Sequence, residues 1–267
     1  MIPFVHIGPL SIPTYGLMVA LGMICAAYIL QADFDRRGMK ADAFTMITIA
    51  GLSGIVGSKL YYAIEFPGEF LAHPAATLFN RFGFTWFGGF LGGFFAMLIL
   101  GKRAGYPLLG FLDACSPAGA VGYAIGRIGC LLSGDGDYGI PTTLPWGMSF
   151  PNGLDPTTGA TGACLQAGWP ENCKVHPTPI YEFLAWVAIG AFLWYLGGKL
   201  MRRPEAQGLI FSGYLILTGI ARFLVEIIRR NERVLWGMSN AQIVSILCII
   251  AGAVLLWRTK SQFNVKK

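Results

Sequence analysis

Seven stretches of about twenty apolar residues constrain this chain more than any other feature of its sequence. They run roughly over 14–32, 43–65, 84–101, 108–132, 179–198, 208–228 and 239–257. An α-helix needs about 20 such residues to cross the hydrocarbon core of a bilayer. Composition agrees: 54% of residues are hydrophobic and 13% charged, where a soluble domain is about a quarter charged. The chain is therefore expected to be an all-α, polytopic membrane protein with seven transmembrane helices. Its 267 residues allow a single integral membrane domain, 1–267, and little else.

The loops predict the topology. Twelve basic residues fall on one side: Arg36, Arg37, Lys40, Lys102, Arg103, Lys199, Arg202, Arg203, Arg258, Lys260, Lys266 and Lys267. Five fall on the other: Arg81, Lys174, Arg229, Arg230 and Arg233. Positive residues favour the cytoplasm, which puts the N-terminus outside and the C-terminus inside. The net charge of +6 then reflects topology, and no nucleic-acid partner is expected. The opening MIPFVHIGPLSIPTYG lacks a basic n-region, so the first span is expected to direct insertion itself.

One long loop, 133–178, lies on the outer side between helices 4 and 5. It is rich in Pro, Gly, Thr and Asn and reads as a small extracytoplasmic head. Of six cysteines, Cys164 and Cys173 share this loop and can pair in an oxidising compartment. Cys25, Cys115 and Cys248 lie in apolar runs. There is no C-x-x-C, and the three histidines are scattered, so neither a metal site nor a cofactor is expected. No internal repeat of the kind that marks transporters is present.

Small residues recur at helical spacing: Gly51, Ser53, Gly54 and Gly57; Gly88, Gly89, Gly92 and Gly93; Gly119, Gly122, Gly126 and Gly129. Such faces let membrane helices approach closely.

Three cations interrupt apolar segments: Lys59, Arg127 and Arg222. Each costs at least about 2.5–3.5 kcal/mol near the bilayer centre and calls for a partner or a function. Lys59 is near its helix end and can snorkel to the outer surface. Arg222 has Glu226 one turn later, an arrangement that suits an ion pair. Arginine also suits phosphate, because its planar fork donates two parallel hydrogen bonds and stays charged. Asp135, Asp137, His176, Tyr181, Glu182, Arg229, Arg230 and Tyr15 all fall at the same outer level. So many ionisable groups at one end of a bundle predict a site.

The stretch GRIGCLLSGDGDYG, 126–139, contains a G-x-G-x-x-G. It is not a dinucleotide fingerprint, which requires a preceding strand and a following helix. Nor is it an EF-hand: the position of the bidentate glutamate, counted from Asp135, is Trp146. The glycines are expected to make a tight turn where helix 4 leaves the membrane.

Four motifs in order resemble the bacterial prolipoprotein diacylglyceryl transferases. PTYGLM at 13–18 resembles the family's first-helix entry. GRIGCLLSGDGDYG resembles its signature G-R-x-G-N-F-x-N-x-E-x-x-G. HPTPIYE at 176–182 is similar to H-P-x-x-x-Y-E, and ARFLVEIIR at 221–229 to F-R-x-x-V-E-x-x-R. The resemblance implies transfer of diacylglycerol from phosphatidylglycerol to the lipobox cysteine thiol of a prolipoprotein, at the outer leaflet of the bacterial inner membrane, with glycerol phosphate leaving. It implies catalytic roles for Tyr15, Arg127, Asp135, Asp137, Arg222 and Glu226, with Arg127 and Arg222 on the phosphate. It implies substrate-binding roles for Ser133, Gly139, His176, Tyr181, Glu182 and Arg229.

The chain departs from the family pattern in four places. Phe87, in TWFGGFLGG, stands where the family's H-G-G histidine is proposed to help deprotonate the thiol. Cys130 and Ser133 replace two signature asparagines. One extra residue leaves Asp135 and Asp137 both available for the signature glutamate. The base is then open among Asp135, Asp137 and His176. Two alternatives follow: a diverged paralogue that binds an anionic phospholipid but uses another acceptor or donor, and a non-enzymatic lipid-binding or transport protein.

Overall fold

The computed structural model describes residues 1–79, 84–159, 162–200, 203 and 206–265. Arg81, Arg202, Lys266 and Lys267 of the loop charges lie outside them. Each expected apolar stretch is a helix: α1 Thr14–Arg37, α2 Ala43–Glu65, α5 Trp86–Arg103, α6 Leu108–Ser133, α8 Thr178–Leu200, α9 Leu209–Ile227 and α10 Asn240–Val265. Six are long and apolar enough to cross a membrane. The exception is α5, whose 18 residues include Gly88, Gly89, Gly92 and Gly93 and end on Lys102 and Arg103. The chain is thus a multi-pass membrane protein.

Small elements that no apolar run announces fill the connections. Strands β1 Phe4–Ile7 and β2 Leu10–Pro13 form an antiparallel hairpin, with Phe4 opposite Pro13. Short helices α3 Pro67–Ala72 and α4 Pro74–Phe79 follow α2. The 133–178 loop holds β3 Pro141–Thr142, α7 Ala163–Gln166 and β4 Lys174–Val175, with β3 and β4 antiparallel.

The chain divides into two compact units. In residues 27–111, Asp42 caps α2 by accepting from the Phe44 and Thr45 amides at 3.1 and 3.3 Å. The glycine faces of α2 and α5 meet: a Cβ on Gly57 would lie 2.4 Å from the Gly88 carbonyl oxygen. Only glycine permits that approach, as the small-residue spacing predicts. Lys59 does not reach the surface. It is 7% exposed, with Nζ 3.4 Å from the Thr77 carbonyl oxygen and 4.3 Å from the centre of the Phe84 ring. The carbonyl and ring replace the water that a snorkelling lysine would seek.

The other unit comprises residues 1–26 and 112–267. A Cβ on Gly22 of α1 would lie 2.8 Å from the Gly122 carbonyl oxygen of α6. The rings of Tyr123 and Trp186 stack at 3.9 Å between α6 and α8. Buried Asp113 accepts from the Gly208 and Phe211 amides at 2.7 and 2.8 Å. It thereby supplies from α6 the carboxylate for amides at the start of α9 that have no partner within their own helix. The hairpin is tied to the far end of α6 by the Ile2 amide, which donates to the Leu132 carbonyl at 3.0 Å.

The 133–178 segment has its own small core of Tyr138, Phe150, Ala163, Cys164, Cys173 and Val175. Cys164 and Cys173 form a disulfide, with Cα atoms 5.7 Å apart.

Candidate functional site

The ends of α6, α8 and α9 bring three guanidiniums onto three carboxylates. Arg127 follows Tyr123 by one turn on α6, so both face α8. Its Nε lies 3.3 Å from Glu182 Oε2, and its Nη1 is ion-paired to Asp137 Oδ2. Its guanidinium also lies over the Tyr123 ring, 4.8 Å from the centroid. Arg222 on α9 pairs with Glu226 at 2.8 Å, the expected one-turn spacing, and reaches Glu182 Oε1 at 3.4 Å. Arg229, just past α9, pairs with Asp137 Oδ1 through Nη2, with Glu182 at 3.3 Å and with Glu226 at 3.7 Å.

Glu182 is the hub. Its side chain is 1% exposed and lies within 3.4 Å of guanidinium nitrogens from Arg127, Arg222 and Arg229. The Tyr123 hydroxyl donates to it at 2.8 Å. The three guanidiniums and the hydroxyl take the place of the water that burial removes from this carboxylate. Glu226 is similarly enclosed and accepts from Asn231 Nδ2 at 2.6 Å and from the Ser239 hydroxyl at 2.7 Å. Tyr123, Asn231 and Ser239 were not expected at the site. The signal for Tyr123 is its four-residue spacing from Arg127; the other two are polar residues in a loop and carry none.

The signature turn supplies the third carboxylate. Gly134 and Gly136 have φ of +59° and +87°, conformations that let the chain leave α6 sharply. The Thr178 hydroxyl donates to the Asp137 carbonyl and fixes the turn on the start of α8. Gly139 lies where three segments meet: its amide donates to the His176 carbonyl at 2.8 Å, and a Cβ there would stand 2.6 Å from the Ile228 carbonyl oxygen. Its place is one of close approach, where a side chain would collide with backbone.

The two aspartates are not equivalent. Burial alone would raise the Asp137 carboxyl, but Arg127 and Arg229 outweigh it and hold it below the usual aspartate range. Asp135 is raised, first by burial and then by the charge of Asp137. Two neighbouring carboxyls pushed in opposite directions are the pattern of an acid and base pair. Cys130 is buried beside them, with Arg127 Nη1 3.5 Å from its sulfur.

Cys130, Asp135 and Asp137 place one sulfur and two carboxylate oxygens within 4.8 Å of one another, the group among the described residues that could hold a metal ion. Both oxygens of Asp137 are already taken by guanidiniums, so that carboxylate has no free oxygen to offer a cation.

The remaining expected residues lie around this cluster. Tyr15 is 44% exposed and packs on Gly129, where a Cβ would be 3.2 Å from its Cδ2. His176, Tyr181 and Trp146 form a separate chain: Trp146 Nε1 donates to the Tyr181 hydroxyl at 2.8 Å, which lies 3.2 Å from His176 Nδ1. Ser133 is buried and donates to the Cys130 carbonyl at 3.2 Å, inside the last turn of α6. Arg230 turns to the head, with Gln166 at 3.1 Å and Asp155 at 3.8 Å. Phe87 lies in the 27–111 unit, 53% exposed, with its ring 6.4 Å from that of Tyr61.

The helices and this cluster define a class: a multi-pass membrane protein with an arginine-rich polar site at helix ends. The chain belongs to the prolipoprotein diacylglyceryl transferase family, whose model matches residues 3–258. It is 33% identical over 246 residues to the phosphatidylglycerol–prolipoprotein diacylglyceryl transferase of Clostridium tetani (strain Massachusetts / E88), covering 91% of each chain. It is 32% identical over 266 residues to that of Methylobacillus flagellatus, covering 94% of each. The Cupriavidus metallidurans enzyme of the same name is 33% identical, with 94% of this chain and 90% of the relative covered.

Proposed function

We propose that this protein transfers the diacylglyceryl group of phosphatidylglycerol to the thiol of a lipobox cysteine in a prolipoprotein, releasing glycerol phosphate. The observation that carries this reading is the convergence of Arg127, Arg222 and Arg229 on one enclosed polar cluster in a chain of this family. Guanidiniums held in place before the reaction stabilise the charge that gathers on the departing phosphate. Glu182 and Glu226 position them. Asp135, Asp137 and His176 are the candidate acceptors for the thiol proton, a role open because Phe87 has no titratable group; the two aspartates are favoured because they belong to the arginine cluster. Tyr15 is partly exposed and packs on Gly129 of α6, one turn before Ser133. Gly139, Ser133, His176 and Tyr181 shape the turn and the start of α8 beneath it.

In this reading α5 is a seventh span, the N-terminus is outside and the C-terminus cytoplasmic. Residues 133–178 form an extracytoplasmic head of a single membrane domain, and the site faces the outer leaflet of the inner membrane. A disulfide in the head accords with an oxidising compartment.

The test is direct. Purified protein is mixed with phosphatidylglycerol and a lipobox peptide, and the peptide mass is read. A diacylglyceryl gain is expected. Arg127→Ala, compared with wild type at equal amounts of folded protein, should lower the rate about 100- to 1000-fold. A rate equal to wild type would reduce Arg127 to a structural cation. Phe87 and Cys130 favour one second reading, a changed acceptor: phosphatidylglycerol would then be consumed without a gain in peptide mass. Saturable lipid binding with no turnover of any kind would instead mark a lipid-binding protein.

A further inference from the structure

The groups ion-paired to one another are matched in number: Arg127, Arg222 and Arg229 face Asp137, Glu182 and Glu226, while, among the described residues, Asp135 and Arg233 stand at the edge of the cluster without an ion pair to it. An anionic headgroup cannot join three cations and three anions at close quarters without adding an unpaired charge, unless one resident anion leaves. The three carboxylates differ in their freedom to do so. Glu182 and Glu226 are 1% and 0% exposed and sit inside helices α8 and α9. Asp137 is 28% exposed and belongs to the signature turn. Its backbone is held by Thr178, so only its side chain needs to rotate. Its two oxygens, carried on one atom, each meet a different guanidinium, Oδ2 that of Arg127 and Oδ1 that of Arg229. Two non-bridging oxygens of a phosphate would make the same bridge.

We propose that Asp137 is a resident stand-in for phosphate: the anionic headgroup binds by displacing its carboxylate from Arg127 and Arg229, and the freed carboxylate joins Asp135 as the acceptor of the thiol proton. This rests on the transferase reading and makes its two half-sites interdependent. While bridged, Asp137 is held as a weak base by two cations. Once phosphate takes those cations, two carboxylates stand together and share one proton readily. Their proximity is already present, with the Asp137 amide 3.4 Å from Asp135 Oδ1. The step balances. The thiol proton passes to the Asp135–Asp137 pair, and the sulfur forms a bond to the terminal glyceryl carbon of the diacylglyceryl group. The bond from that carbon to the phosphate oxygen breaks, and the oxygen leaves with its electron pair as glycerol phosphate, which then takes the proton. Binding of the donor therefore precedes activation of the acceptor.

The experiment compares wild-type protein with Asp137→Asn in detergent micelles. Asparagine keeps the shape but removes the competing charge. The dissociation constant for phosphatidylglycerol, and separately for free glycerol phosphate, is measured by calorimetry. Transfer is measured with a lipobox peptide over a range of donor concentrations. Both dissociation constants should fall by about tenfold, because the competing occupant has been removed, and kcat should fall while the KM for the donor does not rise. Tighter binding of the lipid alone would place the displaced anion at a lipid-specific headgroup subsite, and tighter binding of both at a general phosphate subsite; either supports displacement. Unchanged or weaker binding of both overturns it, since a purely structural carboxylate could only help the site. An unchanged kcat overturns the proton role. Failure of wild-type protein to modify the peptide would count against the transferase reading instead, and the binding measurements would still decide the displacement.

Discussion

Glu182 Oε2 lies 3.3 Å from Arg229 Nη1, with the two side chains 1% and 6% exposed. The pair joins the second turn of α8 to the segment after α9, and Arg127 from α6 completes it. Removing one partner of such a pair leaves uncompensated charge out of water. Glu182→Gln should therefore destabilise the protein by about 3–5 kcal/mol. Tyr123→Phe, which removes one hydrogen bond to the same carboxylate, should cost about 1.5–3 kcal/mol. Denaturant titration in micelles gives both values. A Glu182→Gln protein as stable as wild type would show that the three arginines do not depend on this carboxylate.

Gly139 is closed in by Ile228, His176 and Thr178, the last two with carbon atoms 3.0 Å from a would-be Cβ. Gly139→Ala should cost about 1–3 kcal/mol by overpacking and should lower transfer further, because Asp137 lies two residues away on the same turn. Melting temperature and peptide mass gain read the two effects. Full activity with full stability would mean that the turn relaxes without moving the aspartate.

The Cys164–Cys173 disulfide closes a nine-residue separation over the head's small core. A loop of that length implies a loss of about 2–3 kcal/mol when it is opened. Replacing both cysteines by serine should lower the melting temperature and abolish its sensitivity to reductant. Wild-type protein that melts identically with and without reductant would refute a stabilising bond.

The two aspartates should respond to pH in opposite senses. Asp137 is depressed in the folded protein, so its contribution is present above the unfolded value of about 3.9 and lost as pH falls through its lower folded value. The stability gap between wild type and Asp137→Asn should close below about pH 4. Asp135 is raised, so its contribution is complete below about 3.9 and lost as pH rises through its folded value. Asp135→Asn should thus be more stable than wild type at neutral pH and equal to it in acid. The opposite order for the two variants would invert the assignment.

Much of the architecture is legible in the chain because spanning helices announce themselves locally. Length and apolarity placed all seven long helices, and the glycine spacing of Gly57 and Gly88 marked the faces on which α2 and α5 meet. The same locality misled where partners mattered. Lys59 sits near a helix end and reads as a snorkelling residue, yet a carbonyl and a ring from beyond the next turns enclose it. α5 carries a spanning pattern but is not among the six helices long and apolar enough to cross a membrane. The hairpin and the head's short strands left no periodic trace because each is only two to four residues long.

The site divides in the same way. Charged residues in or beside apolar segments stand out whatever their partners, because burying them is costly, and on that ground Arg127, Arg222, Glu226 and the signature aspartates could be named from the sequence alone. Which of them touch could not. Arg229 meets Asp137 across 92 residues and Glu182 across 47, and only the packing of α6, α8 and α9 sets those distances. That packing made Glu182 the hub and separated two aspartates of one turn into one that bridges arginines and one that does not. Burial cost is a property of each residue and its neighbours in the chain; charge pairing depends on positions in space, and so belongs to the tertiary structure.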